Sequence, residues 1–180
     1  MQTPNSEDDA TCASRPNRDT AQETYEKQIP LLYAATNQIL SNLRYIQYEL
    51  PSVKTTPEIR EAILKMCGDF EWEVGHIRME VRRLKDNLGM HPGEEPFRHG
   101  MGSDAPKETM RFINDWLGAQ LLPMHDLVAR IHTAAEHDPE VALIALLLTE
   151  SATNIINEAI ALREALDAIR AALNLVTSQA

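Results

Sequence analysis

At 180 residues the chain has the length of one domain and can bury a real core without disulfides or metals. Its formal net charge of −10 excludes the broad basic footprint that nucleic acid demands, and an anionic membrane surface would repel it. With 43% hydrophobic residues but only 5% aromatics, the composition suits helices filled by Leu, Ile and Ala.

Residues 1–19 are polar, with almost nothing to bury, which predicts a disordered tail. The early acids Glu7, Asp8 and Asp9 and the missing apolar run argue against a secretory signal. Cys12 in this tail and Cys67 in a helical pattern do not look like a disulfide pair, so a reducing, cytoplasmic setting is expected. The longest apolar run, Val141 to Leu148, is too short to span a bilayer.

A first helix is predicted over 20–50, opened by the capping box Thr20-x-x-Glu23. Its seam is Ile29, Leu32, Thr36, Ile39, Leu43, Ile46 and Leu50, at alternating steps of three and four. Pro30 predicts a kink or a later start, and Pro51 a stop. A second helix over 57–88 starts from Thr56 as N-cap with Pro57 at the first helical position. Its predicted seam is Ile59, Ile63, Met66, Phe70, Val74, Ile77, Val81, Leu84 and Leu88, with a stutter at Met66–Phe70–Val74. Gly89 is placed to close it in a left-handed conformation.

Residues 90–103 form the one long interhelical connection, followed by an Asp104-Ala105-Pro106 start. The third helix, over 105–137, carries Met110, Ile113, Leu117, Gln120, Met124, Leu127 and Ile131, with a kink expected at Pro123. Asp138-Pro139-Glu140 opens the fourth, over 139–177, whose seam runs from Ile144 to Val176. The expected fold is all-α, an up-down-up-down four-helix bundle behind the tail. Ala161, Ala165, Ala168 and Ala172 make a second stripe on the fourth helix, which fits deep burial or a homodimer interface; a homodimer through this helix is expected.

Thr36, Glu73, Gln120, Asn154, Asn157 and Glu158 fall at similar heights and suggest a polar layer at mid-bundle. Glu73-x-x-His76 has the helical spacing of metal-binding carboxylate bundles, but it occurs once, so only a mononuclear site of Glu73, His76 and Glu158 is conceivable. A register-fixing hydrogen-bonded layer is the plainer reading. His91, Glu94, Glu95 and His99 could clasp a metal, yet no helix fixes their directions.

Arg78, Arg82 and Lys85 share a stripe that interleaved acids turn into a solvated, ion-paired face. Trp72 and Trp116 sit beside the seams, to cover bundle edges or anchor a partner. No nucleophile with a base and no phosphate loop is present.

The expected function is therefore non-enzymatic: an acidic interaction protein that regulates, adapts or inhibits another protein, a basic one being the natural complement to its charge. Trp72, Trp116, Arg78 and Arg82 are its candidate contacts. No cofactor, nucleic acid or membrane is implied. A metal- or small-ligand-binding bundle and a secreted bacterial effector are the alternatives.

Overall fold

A computed structural model of the chain describes residues 15–90, 105–136 and 142–178. These residues form four long helices: α1 (Arg15–Glu49), α2 (Pro57–Asn87), α3 (Ala105–Glu136) and α4 (Ala142–Thr177). The expected tail up to residue 14, the connection from residue 91 with His91, Glu94, Glu95 and His99, and the Asp138-Pro139-Glu140 start lie outside the described residues.

Helix α1 begins upstream of the predicted Thr20. Once nucleated, a helix gains one backbone bond for each residue it adds, and no Pro or Gly between Asn17 and Thr20 stops it from extending into polar sequence. Thr20 is therefore an interior residue, and its carbonyl accepts from the Thr24 hydroxyl at 2.9 Å. Pro30 does not end the helix either. It sits on the exposed side, where water can serve the carbonyl left without an N–H. Helix α3 likewise runs on through Pro123.

The helix boundaries of α2 follow the local chemistry. Thr56 is extended (φ −66°, ψ 148°), its hydroxyl accepts from Ile59 N, and Pro57 occupies the first turn. At the other end Gly89 takes φ 71°. Gly89 N donates to Asp86 O at 3.1 Å and Met90 N to Lys85 O at 3.3 Å, the paired bonds of a Schellman motif. Between α1 and α2, a single 3-10 turn (Leu50–Ser52) leads to buried Val53, whose carbonyl accepts from Arg60 Nη2 at 3.0 Å.

Each helix contacts its sequence neighbours, and α1 and α4 form the most extensive pairing of all. Arg44 near the end of α1 meets Glu71 in mid-α2, while Tyr33 lies near Arg78, Arg82 and Asp86 further along α2, so these two helices are antiparallel. Asn87 meets Thr109 and Glu73 meets Trp116, which makes α2 and α3 antiparallel. Lys107 and Arg111 of α3 share a cleft with Arg170 and Asn174 of α4, giving the same sense for the last pair. The helices thus alternate in direction around a ring, with α2 and α4 on a diagonal.

The seam of α1 is buried from Ile29 to Leu50 as predicted. On α2 the buried positions are Ile63, Cys67, Phe70, Val74, Ile77, Val81 and Leu84. Cys67, with no exposed surface, takes the place expected for Met66, and the steps stay at four and three throughout. No stutter exists there. On α3, Gln120 is only half-buried, whereas Trp116 beside the seam is 8% exposed and joins the core. On α4, Ala152, Ala159, Ala165 and Ala172 are buried together with the Leu and Ile seam. Alanine at these positions lets the α4 backbone approach its neighbours closely, which fits the extensive contact with α1.

Candidate functional site

The polar layer expected at mid-bundle does not assemble. Thr36 is fully buried, but its hydroxyl donates to Tyr33 O at 2.9 Å within its own helix. Glu73 lies on the flank of α2 that faces α3, because without a stutter nothing rotates it into the seam. There its Oε2 accepts from the Trp116 indole Nε1 at 3.2 Å. Asn157 is exposed on α4, and Asn154 and Glu158 are half-buried.

Glu73, His76 and Glu158 are likewise not gathered. Glu73 lines a cleft of about 400 Å³ between α2 and α3 with Asp69, Trp72, Gln120 and Pro123. His76 lines a different cleft, and Glu158 belongs to the diagonal helix. Among the described residues no group of three or more His, Cys, Asp or Glu side chains could hold a metal ion. The one thiol described, Cys67, is buried, and burial, reinforced by Glu71, pushes it up to about 12. It stays protonated and offers no nucleophile near neutral pH.

What the structure brings together lies on the outer side of α2, opposite its buried seam. Glu61, Lys65, Gly68, Trp72, Gly75, Met79, Arg82 and Asp86 follow one another at steps of four and three. Such a spacing keeps one stripe of an α-helix facing one way, as a seam does. No helix among the described residues covers this second stripe. Trp72 is 69% exposed and Met79 55%, both large apolar side chains in solvent. Gly68 and Gly75 lie between and beside them, and a Cβ added at either glycine would meet nothing within 4 Å.

The geometry around Trp72 is defined. Its ring meets His76 edge to face, with centroids 4.8 Å apart and planes at 76°. Gly68, Glu71, Trp72, Gly75, His76 and Met79 line a shallow, mostly apolar cleft of about 490 Å³. Charges frame it. Glu71 is ion-paired to Arg44 of α1 at 2.8 Å, Asp69 to Lys65 at 2.8 Å and Glu80 to Arg83 at 2.7 Å. Arg78 and Arg82 are exposed on the shoulder toward α1, where they hold down part of the rise that burial and Asp86 cause in the Tyr33 pKa.

Of the four contact candidates named from sequence, Trp72, Arg78 and Arg82 therefore sit on or beside one outward face, and Trp116 is packed inside the bundle. Sequence reasoning did not single out Gly68, Gly75 and Met79. Their signal was present as the second set of four-and-three steps, masked by the stronger apolar seam on the same helix. No helix among the described residues is long and apolar enough to cross a membrane. Comparison with protein-family models, curated proteins and solved structures finds no match to this chain.

Proposed function

We propose that the chain is a non-enzymatic protein-interaction module whose recognition surface is the outward face of α2. The observation that supports this reading is the exposed Trp72–Met79 pair set among two glycines with empty space above them. Each glycine inside a helix costs about 1 kcal/mol relative to alanine, and neither is needed to admit a neighbour within the bundle. Tryptophan is among the residues most enriched at the energetic centres of interfaces. The pattern suits a partner helix laid across α2, with the glycines allowing close approach and Trp72 and Met79 supplying buried apolar area.

The face carries both signs of charge, so a uniformly basic partner has less support than one with a matching alternation. A reducing compartment, the cytoplasm, accompanies this proposal because Cys67 is an unpaired buried thiol. The metal- or small-ligand reading has less behind it: Glu73 is held by Trp116, and its cleft has no convergent ligand set.

Site-specific photo-crosslinking tests the proposal. A photoreactive amino acid at Met79 of the full chain should give discrete protein adducts that vanish in the Gly75→Leu variant. The same group at Leu122 of α3, which is also exposed, should not. Absence of adducts from position 79, or equal yields from both positions, would overturn the proposal.

A further inference from the structure

The exposed charges of α2 are polarised along its length. They are Glu58, Glu61, Lys65 and Asp69 in the first half, three acids and one base, and Arg78, Arg82 and Arg83 in the second, all basic. Helices laid side by side in the same direction would set acid on acid and base on base. An antiparallel helix with the same sequence would set each acidic half against a basic half. A two-fold axis perpendicular to both helices produces that arrangement automatically, and it is the symmetry of most homodimers.

We infer that the occupant of this face is a second copy of the chain, paired α2 to α2 about a two-fold axis near His76. The inference rests on the interaction reading above and names its partner. In this pairing Trp72 of each copy lies beside the partner's Met79, and Gly75 leaves room for the partner's Met79 to settle. The order of residues also brings Asp69 toward the partner's Arg83 and Glu71 toward the partner's Arg82. Asp69 and Arg83 have side chains 65% and 71% exposed, so both are within reach of a second molecule.

Helix α4 offers the competing face for self-association. Its exposed Leu146, Ile160 and Leu175 are separated by polar Thr153, Asn157 and Glu164 along the helix, and four of its alanines are already buried. The α2 stripe concentrates its apolar side chains within two turns and surrounds them with complementary charge.

A contact along one helix falls at the low end of specific interfaces, roughly 1,200 Å² or less, so the dimer should be a micromolar one. Sedimentation equilibrium of the full chain, at low and high salt, reads it directly. The expected result is a monomer–dimer equilibrium that weakens with salt, and that Gly75→Leu weakens by about 10-fold or more without loss of helicity. Asp69→Arg and Arg83→Asp should each weaken it, and the double exchange should restore it.

A monomer at every concentration overturns self-pairing. Adducts from position 79 to other proteins would then still uphold the interaction face, so the two readings fail separately. A dimer indifferent to Gly75→Leu and to the charge exchange places the interface elsewhere, on α4 first, and also overturns the inference.

Discussion

Helices α4 and α2 both use small residues, and they use them in opposite directions. On α4, Ala152, Ala159, Ala165 and Ala172 are buried, and α4 shares with α1 the most extensive helix contact of the bundle. On α2, Gly68 and Gly75 point outward into open space. The first use is explained entirely by the fold. The second admits no neighbour among the described residues, and it coincides with the exposed Trp72 and Met79. The contrast separates a half of the molecule built for stability from a half with a surface left over for something else.

The largest effects should therefore fall on the α1–α4 side. Ile39 has no exposed surface, and Ile39→Ala should cost about 2–5 kcal/mol by chemical denaturation, from lost burial and the cavity left behind. Met79→Ala on the outward face should stay within about 0.5 kcal/mol in dilute protein. If Met79→Ala proved as costly as Ile39→Ala, the division between the two halves would collapse.

Cys67 sharpens the same contrast through pH. Its native thiol keeps its proton to about 12. An unfolded thiol releases it at about 8.5. Below that lower value both states are protonated and the group adds no pH dependence. Above it the unfolded chain binds fewer protons, so the contribution of Cys67 to stability falls as pH rises toward about 12. Denaturation midpoints of the native chain should fall faster than those of Cys67→Ala over this alkaline window. Parallel curves would contradict the burial of the thiol.

At the α2–α3 boundary the expected effects are smaller. Glu73→Leu removes the acceptor of the Trp116 indole at a half-buried position and should cost about 1–2 kcal/mol. A stability gain would instead favour a fully apolar boundary. Gly75→Ala should raise stability by about 0.5–1 kcal/mol, since the new Cβ meets nothing and alanine favours the helix. A loss on that substitution would mean that the glycine serves the fold rather than the surface.

These cases also mark how far the sequence could be read. The α1 seam, the Thr56 cap and the Gly89 closure were legible because each depends on residues close in sequence. The start of α1 was not, because helix propagation continues wherever nothing stops it. Met66 and Cys67 are adjacent and both apolar, and only the neighbouring helices decide which one turns inward. The polar layer failed for a related reason. Matching heights along four helices do not fix the rotation of each, and Glu73 came to rest on the flank of α2 beside Trp116. Trp72 and Trp116 looked alike in sequence, each next to a seam, yet one is exposed and the other buried. The position of α3 against α2 decides between them, and no local signal carries it.

The smallest effect concerns the Arg44–Glu71 pair, which joins the two halves across α1 and α2. Both Arg44 Nε and Nη2 lie 2.8 Å from Glu71 Oε1, but the Arg44 side chain is 66% exposed. Water and ions compete there, so Arg44→Met should cost no more than about 0.5 kcal/mol, and salt should erase most of that difference. The same substitution frees Glu71 to turn outward, toward the partner's Arg82 in the two-fold pairing. Arg44→Met should therefore leave the monomer nearly as stable and tighten the dimer slightly at low salt. Sedimentation and denaturation of one variant thus probe both sides of Glu71. A dimer weakened by Arg44→Met would mean that Arg44 orients Glu71 for the partner instead of competing with it.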